Sequence, residues 1–517
     1  HDGATQLARQ STGGSMPAAT AFSTVFSRDQ RFEESRLASS LATPRSLATP
    51  RSGARHSAGA KPKPGDTAFQ ADAWHLPGTP AFYIYEDLLT WWKRACPVWV
   101  AAVSNVSVLA SIDAERRKSV GGGDYAQHAA EILFPERLLA HPRRTRDPSA
   151  ARLFVVPAFL GLSSRGQCGN ASANVDELGR FLRGSSWFRR SLGADHMLLS
   201  TDYQAAAAMR KLGPQLTRRL CYATQVSTDQ HAVATYRSGV PKSHLVATPL
   251  VTLPPPRARD LQPWHSRPTA LFFGGQTHGA GVSYMPRRKL AKYARFNVTS
   301  VVYTTSRWVY EKAIGKQSGC TGPACTPAAL KALKGGCKGR AADPCSPMYM
   351  QPCQDGAMRG GCVASAEQTR PELATARLAA AQFNLAWPGD HGDAALSGRL
   401  YDGVAQGALN VLLGPRILQE SIAFRRELPW RNMSVVVDPA AFSRWPAQAI
   451  ESAVSAARAR DGGAWLTRAL ALRARHAPDV VWTHPRSRVA ERVLDACARV
   501  ADQSRRESGY RNKAPLG

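Results

Sequence analysis

FNLAWPGDHGDAALSGRLYDGVAQGALNVLLGP, Phe383–Pro415, sets two apolar segments either side of a Pro-Gly-Asp turn and a Ser-x-Arg-Leu-Tyr-Asp run. Phe383–Trp387 reads as a buried strand, and Pro388–Asp390 turns the chain at its carboxyl end, the edge outside which open α/β sheets bind ligands. Ser397 reads as the N-cap of a helix, with Leu396 and Tyr401 placed as a hydrophobic staple. Leu400 and Val404 then face inward, while Arg399 and Asp402, three apart, share the outer face. Free N–H groups at the helix start and a bidentate guanidinium suit a diphosphate. Asp402 is placed to hold Arg399 or to accept from a ribose hydroxyl. On spacing alone the same residues also describe an ordinary βαβ unit with a surface Arg–Asp pair.

Outward from this stretch, strands alternate with helices. Upstream strands are expected at Phe82–Tyr85, Ala151–Leu160, Asp195–Thr201 and around SHLVATPLV, with amphipathic helices between them. After the proline-rich linker Leu253–Trp264 a second unit begins: RPTALFFGGQTHG is a strand entering glycines, MPRRKLAKYAR a helix and NVTSVVYTT a strand. Gly274 and Gly275 let a ligand approach the backbone, and Arg287 and Arg288 open the next helix where they can meet phosphate charge. The loop is not a Walker A motif. Such alternation implies parallel sheets flanked by helices. The expected divisions are a disordered low-complexity stem (1–78) containing the repeat LATPRSLATPRS, a first Rossmann-like domain (79–256), a second (266–460) with a Cys-rich insertion (315–366), and a helical tail (461–517).

Composition narrows the class. The 517 residues allow two or three cored domains, and 44% hydrophobic with 20% charged content is that of a globular protein. No run reaches the roughly 20 apolar residues that span a bilayer. The chain begins at His1, so we expect any signal or anchor to lie upstream. Net charge is +29, and residues 1–75 (nine basic, six acidic) hold only +3 of it. With no dense Lys/Arg run, this reads as arginine-rich solvated faces rather than a nucleic-acid interface. Six of the ten cysteines fall in the insertion (Cys320, Cys325, Cys337, Cys345, Cys353, Cys362), irregularly spaced and without histidine. Disulfides fit better than zinc and imply an oxidising compartment. Sequons at Asn105, Asn170, Asn297 and Asn432 agree.

The ordered motifs resemble the exostosin family of Golgi glycosyltransferases. That family has a strand, Pro-Gly-Asp, Ser-x-Arg-Leu-Phe-Asp, and a helix ending in Gly before another strand. Ser397, Arg399, Leu400, Tyr401, Asp402 and Gly407 fall on this pattern, with Tyr for Phe. HPRRTRDPSAARLFVVPAF resembles the family's Arg-Thr-x-Asp-Pro-x-x-Ala-x-x-Phe-x-Val-Pro run, YAQHAAEILF its Tyr-x-x-Glu-x-x-Phe helix, and RSLGADHMLLSTD its Gly-x-Asp-His strand. IAFRRELPWRNMSVVV departs from it: Arg425 stands where the family has an acid, with Glu420 and Glu427 as possible substitutes.

The resemblance implies an α/β chain of GT-B type, two Rossmann-like domains facing a cleft, the first binding the acceptor glycan and the second the nucleotide sugar. It implies inverting transfer from a UDP-sugar to a growing polysaccharide or glycoprotein glycan. It requires no metal and no cofactor beyond the donor substrate, and it places the chain in the Golgi lumen behind a membrane anchor, in complex with a related transferase or alone. Base candidates are Glu131, Asp195, His196 and Asp202. The donor site would comprise Gly274, Gly275, Arg287, Arg288, Gly389, Asp390, Ser397, Arg399 and Asp402. The alternative is a catalytically silent partner subunit or glycan-binding protein of the same fold.

Overall fold

A computed structural model describes residues 76–100, 129–201, 205–224, 240–256, 260–275, 371–387 and 398–507, a few single positions excepted, together with 287, 290, 301–304 and 362–363. Phe69–Gly517 forms one compact unit.

Five parallel strands make the first sheet, in the order β1 (Phe82–Ile84), β2 (Leu153–Val156), β3 (His196–Ser200), β4 (Cys221–Thr224) and β5 (Leu245–Ala247). Runs such as LFVV and HMLLS are buried at every position, because helices cover both faces of a parallel sheet. Helix α1 (Glu86–Ala95) follows β1, and α2 (Ala130–Leu139) precedes β2. The connection from β2 to β3 holds α3 (Leu160–Ser164), α4 (Ala171–Gly184) and α5 (Ser186–Ser191), and α6 (Ala205–Leu212) and α7 (Pro214–Thr217) lead to β4. Between α4 and α5 the helix breaks at Ser185, whose hydroxyl caps α5 by accepting from Phe188 N–H. The expected upstream strands are present as β1, β2, β3 and β5. Strand β4 was not among them: Cys-Tyr-Ala-Thr has no distinctive pattern and is ordered by pairing with β3 and β5 on either side.

The second sheet has six parallel strands in the order β11-β10-β9-β6-β7-β8. They are β6 (Thr269–Gly275), β7 (Val301–Thr304), β8 (Cys362–Val363), β9 (Ala381–Leu385), β10 (Leu409–Leu413) and β11 (Ser434–Val437). Helix α8 (Pro371–Ala379) leads into β9, α9 (Arg399–Ala405) joins β9 to β10, and α10 (Arg416–Glu420) follows β10. Within the opening stretch, Leu400 and Val404 are buried as expected. The N-cap of α9 is Gly398, whose carbonyl accepts from Tyr401 and Asp402 N–H. Ser397 lies outside the described residues, and so does Leu396, the staple partner of Tyr401.

After α11 (Pro439–Arg444) and α12 (Pro446–Ala459), the last two helices are α13 (Ala464–Val480) and α14 (Val489–Glu507). Both helices fall within the stretch expected as a tail, and α14 returns to the first sheet. Val489, Val493, Leu494, Cys497 and Ala501 are buried at helical spacing, and Cys497 is disulfide-bonded to Cys221 on β4. Glu491 accepts from the buried His141 at 3.0 Å and from Leu76 N–H at 3.1 Å. His141 Nδ1 accepts from Arg143 N–H, so the proton shared with Glu491 sits on Nε2. Fully buried Asp479 is bound by His476, Arg488 and Arg492, which fixes the joint between the last two helices.

A second disulfide joins Cys96 to Cys168. Both bridges use cysteines outside the insertion. Of the insertion's cysteines, Cys362 opens β8, and the other five lie outside the described residues. No helix among the described residues is long and apolar enough to cross a membrane.

Candidate active site

Asn384 on β9 and Asn410 on β10 face each other in register beneath α9. Asn410 Nδ2 donates to Leu400 O at 2.9 Å, while Asn384 Nδ2 donates to Arg399 O at 2.7 Å and Asn410 Oδ1 at 2.8 Å. Both side chains are buried, and their amides tie the first turn of α9 to the two strands. The helix comes this close because residue 403 is glycine: a Cβ there would overlap Asn410 Oδ1 and lie 2.5 Å from Asn384 Nδ2. None of Asn384, Asn410 and Gly403 was singled out from sequence, since a polar residue inside an apolar strand run gives no sign of what it will touch.

So fixed, α9 projects Arg399 across β9 to the carboxyl end of β6. The guanidinium lies on the Gly275 backbone, where a Cβ would fall 2.5 Å from Nη2 and 2.6 Å from Cζ, and Cζ stands 5.4 Å from the centre of the Phe273 ring. Gly275 and Arg399, expected together only as parts of one site, are therefore in direct contact. Gly274 points to the opposite face of the strand, as alternation requires. Buried Arg287 directs Nη2 at Trp387 O, 3.4 Å away, just beyond the carboxyl end of β9. Asp402 is part-buried, and a Cβ at Gly398 would lie 3.9 Å from its Oδ2. At Gly398 a Cβ would lie 3.7 Å from Leu250, which follows β5, so the carboxyl end of the first sheet reaches the start of α9. Arg288, Gly389 and Asp390 lie outside the described residues.

The loop after α10 explains one departure and sharpens another. Tyr401, where the family has Phe, accepts a hydrogen bond from Ala423 N–H at 3.2 Å, and Trp430 Nε1 donates to Ala423 O at 2.8 Å. This grip holds the backbone through Phe424, whose φ is +52°, and leaves Arg425 exposed with its guanidinium on Gln419 O. Of Glu420 and Glu427, the two carboxylates named as substitutes for the missing acid, Glu427 is ion-paired with Arg499 of α14.

In the first half the base candidates separate. Glu131 on α2 reaches the carboxyl ends of β2 and β3. Its Oε1 accepts from Gly161 N–H (2.7 Å), Thr201 N–H (2.8 Å) and Ser200 Oγ–H (2.9 Å), and its Oε2 accepts from Leu162 N–H (3.1 Å). Burial pushes its carboxyl up to about 7 against the opposing pull of these four bonds. Asp195 and His196 stand at the amino end of β3 instead. Asp195 accepts from His196 Nδ1 (2.7 Å), Ser191 and Arg190, and His196 Nε2 accepts from Tyr85 O–H at 2.7 Å. The imidazole is stacked 4.7 Å from Phe154 and edge-on to Phe188. Burial lowers the His196 pKa, with Asp195 opposing. Burial alone would raise the Asp195 pKa, but the His196 hydrogen bond and the neighbouring positive charge lower it. Asp202 lies outside the described residues.

Two fully parallel sheets, with an arginine laid on a glycine at the carboxyl end of one, define a mixed α/β protein of Rossmann-like construction. The Exostosin GT47 domain model matches residues 100–453, and the chain belongs to that family. A 77-residue stretch is 35% identical to a probable xyloglucan galactosyltransferase GT17 of Arabidopsis thaliana. That stretch is 14% of this chain and spans only 17% of the length of that protein.

Proposed function

We propose that this chain is a glycosyltransferase that moves a sugar from a nucleotide-sugar donor, a UDP-sugar, to a growing polysaccharide or a glycoprotein glycan. The observation that carries the reading is the contact of Arg399 with Gly275 inside the matched domain. It places a forked cation at the carboxyl edge of a parallel sheet, where a diphosphate is stabilised as it leaves. We read the two sheets as the halves of a GT-B fold, donor on the second and acceptor on the first, with the neighbouring Leu250 and Gly398 at the junction. The chain acts in the Golgi lumen. A galactosyl donor is the first to try, from the name of the similar plant protein.

The reaction is inverting and needs no metal, because the cationic side chains supply the charge that meets the diphosphate. A carboxylate takes the acceptor proton as the hydroxyl attacks the anomeric carbon. Glu131 has both oxygens occupied by donors and serves as the post that fixes Ser200 and Thr201. Asp202 follows Thr201 directly in the chain and is the carboxylate we assign as base. Asp195 and His196, at the opposite end of β3, act as a structural anchor.

The deciding experiment is thermal unfolding and turnover with a panel of UDP-sugars. One sugar should raise the unfolding temperature and be transferred, and Arg399→Ala should lose both while remaining folded. A wild-type chain that binds no nucleotide sugar would sink the reading. It would favour the second one, a silent partner subunit, which rests on exposed Arg425 in the place of an acid.

A further inference from the structure

We propose that Asn170 carries an N-linked oligosaccharide. The sequence Asn170-Ala171-Ser172 meets the acceptor pattern, and the geometry around it suits the modification. Asn170 is exposed and is the N-cap of α4. Its Oδ1 accepts from Ser172 N–H at 3.0 Å and Ala173 N–H at 3.1 Å. Its Nδ2 donates to nothing among the described residues. The two atoms of the amide are thus divided between two tasks: the oxygen holds the helix and the nitrogen faces solvent.

In the transfer, Nδ2 bonds to the anomeric carbon of an oligosaccharide delivered on a lipid-linked diphosphate. The carbon–oxygen bond to the diphosphate breaks, the lipid diphosphate leaves, and one proton is lost from Nδ2. The product amide keeps Oδ1 and its acceptor capacity, so the α4 cap survives. A second, independent observation points to the compartment where this chemistry occurs. Cys168, two residues before Asn170, is buried and disulfide-bonded to Cys96 across 72 residues, and a second bridge joins Cys221 to Cys497. Such bridges form in the oxidising secretory lumen. Asn432 is also an exposed sequon asparagine, but it lies inside a 3-10 turn and serves as the internal comparison.

The test is made on the full chain expressed in a eukaryotic secretory host. Enzymatic release of N-glycans converts an occupied asparagine to aspartate, and peptide mass spectrometry reads position 170. Conversion at 170 is expected, with one step of increased gel mobility for the Ser172→Ala and Asn170→Asp variants. Both variants leave a side-chain acceptor at the cap, so their unfolding temperatures should stay close to that of the deglycosylated wild type. Recovery of unmodified Asn170, whether or not Asn432 is converted, overturns the proposal. The transferase reading does not depend on this outcome, since Asn170 is no part of the Arg399 site.

Discussion

The guanidinium of Arg399 rests on the backbone of Gly275 with no room for a methyl group between them. Gly275→Ala should therefore displace the guanidinium without touching its charge. We expect donor affinity to fall about 10- to 100-fold, the equivalent of a lost charged hydrogen bond. Arg399→Lys should restore little, because an ammonium lacks the planar fork. Titration calorimetry with UDP on the three proteins checks this. Wild-type affinity in Gly275→Ala would show that the contact has no part in binding.

Gly403 sets the distance between α9 and the Asn384–Asn410 pair. Gly403→Ala forces a Cβ onto two buried amides, and we expect a loss of roughly 1–3 kcal/mol. Asn384→Ala leaves Asn410 Oδ1 and Arg399 O each short of a donor, for about 1–3 kcal/mol. Urea unfolding of both variants measures the cost, and a KM for donor that rises in Asn384→Ala would show that the pair also aims Arg399.

Glu131 makes stability depend on pH. Folding raises its carboxyl from 4.5 to about 7, so the unfolded chain gives up this proton first. Its contribution to stability is therefore full below about pH 4.5, falls as pH rises to about 7, and is level above that. The span is on the order of 3 kcal/mol. Glu131→Gln cannot titrate, and the difference in stability between wild type and variant should change across this window and nowhere else.

Tyr401→Phe restores the family residue and removes the acceptor for Ala423 N–H. A loss of about 1 kcal/mol is expected, with a looser loop around Arg425. Arg425→Glu should leave stability within about 0.5 kcal/mol, since the side chain is exposed. If the family's acid contacts the nucleotide, this change should tighten UDP binding. Unchanged affinity would remove position 425 from the site.

Reduction of the bridge between Cys221 and Cys497 removes the covalent tie between α14 and the first sheet and leaves only the packing of its buried face. Cys497→Ala should cost roughly 2–5 kcal/mol, the range for a native disulfide. The loss should appear in the cooperative unfolding of the core that α14 shares with the first sheet, a cluster that also takes in Leu400, Tyr401 and Leu412 of the second half.

By itself the sequence determined the alternation of buried strands and amphipathic helices, because side-chain periodicity is local. It also determined the family, because ordered motifs survive without knowledge of contacts. Leu400 and Val404 pointed inward for the same reason, and Gly275 and Arg399 were both legible as candidates. Tertiary structure alone decided that these two touch, that Asn384 and Asn410 hold the helix between them, and that Glu131 and His196 lie at opposite ends of one strand. It also carried α14 back to β4, 276 residues away along the chain. A single sequence states each residue's chemistry and its neighbours along the chain. Which atoms meet is fixed by the packing of whole elements, where one missing Cβ at Gly275 or Gly403 sets the distance.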